Sequence, residues 1–127
     1  MKFLTPLLFL LFFSACVSEP FELGDGVDLE SFKKDRGGCE NLRSGQIKAL
    51  KAVSDNILTH SENEVLATLG RYDFQILDRK NQKVFVYYLE EGPHCEAIQN
   101  ESSAISMAIY FNATSLAKEV TFQQGMP

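Results

Sequence analysis

Two histidines and three cysteines are the residues of this chain with the widest capacity for chemistry. His94 stands directly before Cys95, and an imidazole beside a thiol can generate a nucleophile. A zinc ion would need four ligands, here His60, His94, Cys39 and Cys95. Neither reading has support from spacing, because the chain lacks Cys-x₂-Cys and His-x₃-His pairs and a cysteine held in a disulfide is no nucleophile. We therefore predict no catalytic residue, no metal and no cofactor.

The third cysteine follows an N-terminal secretion signal. Residues 1–15 carry one cation, then an apolar run, then small residues, which is the order of a secretory signal peptide. The apolar run is shorter than the ~20 residues that span a bilayer core. Residues 13–16, Phe-Ser-Ala-Cys, resemble a bacterial lipobox, in which the cysteine takes a lipid and the signal is cut just before it. We expect lipidation of Cys16; the alternative is a plain cleavage nearby that leaves Cys16 incidental.

The number of cysteines bears on the same question. With Cys16 lipidated, Cys39 and Cys95 remain as one candidate disulfide in an oxidising compartment. An unmodified Cys16 would leave a secreted protein with an odd thiol. Closing so long a loop would contribute roughly 4 kcal/mol through chain entropy.

Length and charge limit the classes of function. Removing Lys2 from the 12 basic residues leaves 11 against 17 acidic ones, a net charge near −6. This excess argues against nucleic-acid binding and against attachment to anionic lipid by charge alone. We divide the chain into a signal peptide (1–15), a lipidated cysteine with an acidic tether (16–38) and one small domain (39–127).

Helical patterns precede strand patterns in this domain. One amphipathic helix is predicted over residues 40–57 from a recurring apolar stripe of Leu42, Ile47, Leu50, Val53 and Ile57. Ser61 and Glu64 have the spacing of a capping box, and Gly70 suits a helix end, which predicts a second helix over residues 62–69. A turn or two of helix is also expected within residues 28–35.

The second half of the chain reads as strands. Runs rich in β-branched, aromatic or alternating apolar residues cover 74–77, 83–89, 105–111 and 116–122. Helices followed by strands predict a two-layer α+β fold, with two N-terminal helices packed on one face of a three- to four-stranded antiparallel meander sheet.

The sheet face left free by the helices is the candidate partner surface. Alternate residues of strand 83–89 point to opposite faces, and we assign Val84, Val86 and Tyr88 to the core. Exposed apolar clusters often mark protein-binding sites. The partner-binding candidates are then the outward cluster Phe85, Tyr87, Leu89 and Tyr110. The alternative, that the loop over residues 90–103 folds across that face and buries it, stays open.

Three segments carry a resemblance to a known family. They are residues 61–70, SENEVLATLG, which end in a Leu-Gly pair; residues 86–89, VYYL; and the closing hairpin within residues 105–122. With the order of signal, cysteine, helices and meander, the chain resembles the SmpA/OmlA family of BamE-like outer-membrane lipoproteins. It departs from that family in having Tyr72 where proline is usual and in having no tryptophan. The same layout is similar to β-lactamase-inhibitor-like domains.

The resemblance implies a function through contacts. It points to a non-enzymatic envelope lipoprotein, held in the outer membrane by its lipid and facing the periplasm. Its partner would be an envelope protein such as the machinery that assembles outer-membrane barrels. A periplasmic inhibitor-like or ligand-binding module of the same fold is the alternative.

Overall fold

A computed structural model describes residues 17–127. The predicted signal peptide and the lipidation candidate Cys16 lie outside these residues. The described part is an α+β fold in which three helices precede four strands, as the sequence predicts, with α1 as a third, short helix. The elements are α1 (Leu29–Lys34), α2 (Ile47–Val53), α3 (Glu62–Leu69), β1 (Phe74–Leu77), β2 (Lys83–Tyr88), β3 (Ile105–Phe111) and β4 (Ala117–Gln124).

The four strands form an antiparallel meander in the order β1-β2-β3-β4. Each face of the sheet has its own cluster of buried residues. The face that packs on the helices, called here the helix face, carries Phe85, Tyr87, Leu89, Met107, Ile109 and Phe111. The opposite face, called the outer face, carries Val84, Val86 and Ala108, with Phe74, Ile76 and Tyr110 packed around them. The helices therefore cover one side of the sheet, and the second cluster is built from strand residues.

The first predicted helix begins later than its apolar pattern indicates. A 3₁₀ turn at Ser44–Gln46 leads into α2, and a second 3₁₀ turn at Ser54–Ile57 follows it. Before the first of these turns, the Asp35 carboxylate accepts hydrogen bonds from the backbone N–H groups of Glu40, Leu42 and Arg43. Those three N–H groups are held in a loop around the carboxylate rather than in a helix. Leu42, predicted on the buried stripe, is consequently 39% exposed.

Helix α3 spans the predicted residues because its end signals are local. The Ser61 hydroxyl accepts the Glu64 backbone N–H at 3.2 Å, and Gly70 ends the helix with φ +79°. In a full capping box the Glu64 carboxylate would accept from the Ser61 backbone N–H. Here it accepts from the Ser61 hydroxyl instead and contacts the His60 ring. The hydrogen bond from His60 lowers the pKa of Glu64 below its usual value.

Replacing Ser61 by alanine is expected to lower the free energy of unfolding by about 1 kcal/mol, because one N–H group of the first turn loses its acceptor. Urea unfolding of the two proteins measures this difference. A Ser61→Asn variant, which retains a capping oxygen, is the matched control and should stay close to the parent. Equal losses in both variants would show that the cap itself contributes nothing.

The folded domain begins well before the predicted boundary at residue 39. Leu23 and Phe32 are members of the main core. The Asn56 side chain donates to the Leu23 carbonyl at 2.7 Å, and the Phe21 ring stacks on His60 with centroids 3.8 Å apart. The interpretation of residues 16–38 as a tether is therefore wrong from Phe21 onward. Phe21 and Leu23 stand among acidic residues and glycines, so this segment shows no hydrophobic period from which its burial could be predicted.

Candidate functional site

A buried ionic cluster joins the helices to the sheet where β2 ends. The Asp73 carboxylate accepts from Arg43 Nη1 at 2.7 Å, from the Gly37 backbone N–H at 2.9 Å and from the Tyr88 backbone N–H at 2.8 Å. The Arg43 side chain is fully buried and that of Asp73 is 3% exposed. Buried charges of this kind persist only when paired and hydrogen-bonded.

The remaining donors of Arg43 tie the same region together. Nε donates to the Phe32 carbonyl at 2.8 Å, and Nη1 also donates to the Tyr88 carbonyl at 3.0 Å. Nη2 has no hydrogen-bond partner within residues 17–127. The guanidinium carbon stands 4.2 Å from the centre of the Phe32 ring, so a cation–π contact compensates part of that loss. Arg43 thus locks α1 onto the end of β2, which is a structural role.

The predicted disulfide between Cys39 and Cys95 is present, with Cα atoms 5.9 Å apart. It fastens the loop after β2 to the segment after α1. Gly38 makes that approach possible: it has φ +69°, and a Cβ built on it would lie 2.7 Å from the Glu90 backbone nitrogen. The strand ends at which residues 35–40 meet residues 89–104 are called here the disulfide end of the sheet.

His94 lies inside the disulfide end with both ring nitrogens engaged. Nε2 donates to the Gly37 carbonyl at 2.7 Å, while Nδ1 lies 2.8 Å from the Ser102 hydroxyl oxygen. The ring also stacks on Tyr88 with centroids 3.7 Å apart. These contacts make His94 the residue that packs the loop against β2.

The same contacts limit the chemistry this cluster can do. The potential ligand atoms of Cys39, His94 and Cys95 lie within 4.8 Å of one another, but the two sulfurs are bonded together. A depression of about 360 Å³ opens beside them, between Arg36, Asp73 and His94. His60, the fourth zinc candidate, pairs instead with Glu64 on α3. In this oxidised form the cluster offers neither a thiolate nor an unoccupied imidazole nitrogen.

Three of the four predicted partner-binding residues are on the covered side of the sheet. Phe85, Tyr87 and Leu89 are all buried against the helices, so the prediction that they face outward is wrong. The larger side chains take this face because it gives them the helix layer to pack against. Burial raises the pKa of Tyr87 above its usual value, and its hydroxyl donates to the Gly70 carbonyl at 2.8 Å. Tyr110 lies on the outer face and is half-buried.

The loop over residues 90–103 covers the disulfide end of the outer face, where His94 stacks on Tyr88 and Tyr88 is 2% exposed. The rest of the outer face is the apolar surface that this arrangement leaves beside solvent. Val84, Val86 and Ala108 form its buried floor. Around that floor stand the half-buried side chains Phe74, Ile76 and Tyr110. Sequence reasoning missed Phe74 and Ile76, although the pairing of β1 with β2 sets them opposite Val86 and Val84.

Charged residues flank the outer face at both ends. Beside the turns at residues 78–82 and 112–116, called the hairpin end, lie the cations Arg79, Lys80 and Lys118 together with Asp78. The Lys118 ammonium donates to the Gln82 side chain at 2.6 Å. At the disulfide end, Glu101 lies beside exposed Ile98 and Met126. The hairpin end of the face therefore carries three cations against the carboxylates of Asp78 and Glu119, which lies opposite Tyr110, and the disulfide end carries the carboxylate of Glu101.

Within residues 17–127, no helix has both the length and the apolar character needed to cross a membrane. Comparisons of the chain with known protein families, with curated proteins and with solved structures found no match.

Proposed function

We propose that this chain is a non-enzymatic envelope lipoprotein that binds a protein partner through the outer face of its sheet. The observation that carries the proposal is the position of Phe74, Ile76 and Tyr110, half-buried around an apolar floor on the side that the helices leave free. Apolar surface with a polar rim is typical of protein-binding sites. His94 is hydrogen-bonded to the Gly37 carbonyl and Cys95 is held in a disulfide, which supports a non-enzymatic role.

The charged ends of the face specify what the partner presents. Arg79, Lys80 and Lys118 at the hairpin end favour acidic groups, and Glu101 at the disulfide end favours a basic one. Between these the partner contributes apolar side chains. The depression beside Phe74 and Tyr88 on this face has a volume of only about 150 Å³, less than the ~300–1,000 Å³ of small-molecule clefts, so the face suits a folded protein better than a small molecule.

The anchor and its location complete the proposal. A lipid on Cys16 would hold the domain on the outer membrane, facing the periplasm. The resemblance to the SmpA/OmlA family supports an accessory role in outer-membrane protein assembly, in which the domain assists by binding components of that machinery.

Two adjacent residues of β1 provide a matched test. Ile76 lies on the outer face, whereas Leu77 is opposite Lys83 at the strand end and is 57% exposed. We expect Ile76→Glu to abolish recovery of a specific envelope protein in pull-downs from solubilised membranes, because a charge enters the apolar contact. Leu77→Glu makes the same chemical change nearby and should retain that protein. Loss in both variants, or in neither while both fold normally, would contradict an outer-face site.

A second arm tests the anchor. Cys16→Ser should release the protein from the membrane fraction and reduce recovery of membrane-embedded partners. If the released protein instead keeps a soluble partner at full yield, the chain is an inhibitor-like or ligand-binding module that does not depend on its anchor.

A further inference from the structure

Strand β4 is the long open edge of the sheet. It is an eight-residue strand at one side of the meander, whereas the other edge, β1, has four residues. Its first residue is closed off, because the Ala117 N–H donates to the His60 carbonyl and the Ala117 carbonyl accepts from the Thr59 N–H. Beyond Ala117 the edge has no neighbouring strand in the described chain.

The register shows which backbone groups are free. The Gly125 N–H donates to the Ala104 carbonyl at 2.9 Å, and β4 continues from there opposite β3 residue by residue up to Glu119. Backbone groups alternate in direction along an antiparallel strand. Odd-numbered residues such as Thr121 thus bond to β3, and the N–H and C=O groups of Val120, Phe122 and Gln124 point away from the sheet.

Residues 120–124 of this edge lack the features that usually prevent strand pairing. Natural edges carry proline, lysine or charged residues directed inward, or they are short. Here residues 120–124, VTFQQ, contain no charge and no proline; Lys118, Glu119 and a β-bulge between Ala117 and Glu119 confine the protected part of the edge to the start of the strand. Lys51 of α2 borders the strand on the helix face, with its ammonium 5.7 Å from the Phe122 ring centre.

We propose that β4 pairs antiparallel with β4 of a second copy of this chain, with Thr121 on the two-fold axis. In that register Val120 lies opposite Phe122 of the second copy, and the two Thr121 residues face each other. Glu119 then lies opposite Gln123, and the bulge leaves Lys118 outside the regular pairing, so no like charges lie directly opposite each other. Aromatic–β-branched and Thr–Thr cross-strand pairs are both favourable. The occupant is a second copy because the free backbone groups of Val120, Phe122 and Gln124 match those of the same segment running antiparallel, and no like charges face each other in that register.

The dimer would have one continuous sheet of eight strands, since each copy brings four. A two-fold axis perpendicular to the sheet keeps the helices of both copies on the same side. The two outer faces then join into one wider surface. This self-pairing does not depend on the proposed function, and Ile76→Glu should leave it unchanged.

Cysteine pairing tests the register directly. In the full-length chain carrying Cys16→Ser, Thr121→Cys places two thiols across the axis at a non-hydrogen-bonded pair, where Cα atoms are about 4.5 Å apart. That separation permits a disulfide. Glu119→Cys is the matched control, because four residues of offset put its two copies ~13 Å apart. Mild oxidation should give a linked dimer with Thr121→Cys and far less with Glu119→Cys. Equal linkage in both, or none in either, would overturn the proposal.

A backbone test separates pairing from side-chain effects. Val120→Pro and Val120→Ala both change the side chain, and only proline removes the outward N–H. Sedimentation of the Cys16→Ser chain over increasing concentration should show dimer formation for the parent and for Val120→Ala. Val120→Pro should remain monomeric, and at a low concentration where every variant is monomeric its thermal midpoint should be close to that of Val120→Ala, because both lose the packing of the Val120 side chain on the core. A parent protein that stays monomeric at every concentration would refute self-pairing.

Discussion

Replacing Arg43 by alanine is expected to lower the free energy of unfolding by about 3–5 kcal/mol, the usual result of removing one partner from a buried ion pair. The Asp73 carboxylate is nearly inaccessible to solvent, and the substitution removes its closest cation. It also removes the donors to the Phe32 and Tyr88 carbonyls. Urea unfolding followed by circular dichroism measures the difference.

Arg36 supplies the matched control, because it pairs with the same carboxylate. Its Nε lies 3.6 Å from Asp73, but its side chain is 57% exposed. Exposed ion pairs contribute about 0–1 kcal/mol, so Arg36→Ala should have a small effect. If the two arginine variants lose equal stability, burial is not what gives the Arg43–Asp73 pair its strength.

The second large effect concerns the bond between Cys39 and Cys95, which are 56 positions apart in the chain. A variant with both cysteines replaced by serine should lose about 4 kcal/mol of unfolding free energy, because the unfolded chain regains the freedom of a long loop. Thermal or urea unfolding compares it with the parent. Cys16→Ser, a cysteine replacement outside the described residues, is the control and should unfold like the parent. A variant with both serines that also unfolds like the parent would show that other contacts hold the loop.

Much of the fold could be predicted because its signals are local. The bounds of α3 follow from Ser61 and Gly70, and the strand segments follow from their β-branched and aromatic residues. The start of α2 could not be predicted in the same way. It depends on the Asp35 carboxylate, which captures N–H groups five to eight residues further along the chain. A fully buried Arg43 also runs against the usual exposure of arginine.

The residues of the candidate surface could not be predicted from the sequence of one strand alone. Alternation in β2 separates two sets of residues, but which set meets the helices depends on register, and register is a property of strand pairs. Phe85 is opposite Ile109, one of the large apolar residues that alternate along residues 105–111 with Ser106, Ala108 and Tyr110. Matching the inward residues of β3 to β2 would have placed Phe85 inside and Val84 outside.

Site-specific photo-crosslinking in intact cells tests most directly whether the outer face binds a protein partner. A photoreactive residue replaces Ile76 in one version of the full-length chain and Leu77 in another, which samples the outer face and a nearby position off it. We expect a discrete adduct with one envelope protein from position 76 and little from position 77. Adducts of equal yield from both positions, or an adduct from position 77 alone, would contradict it.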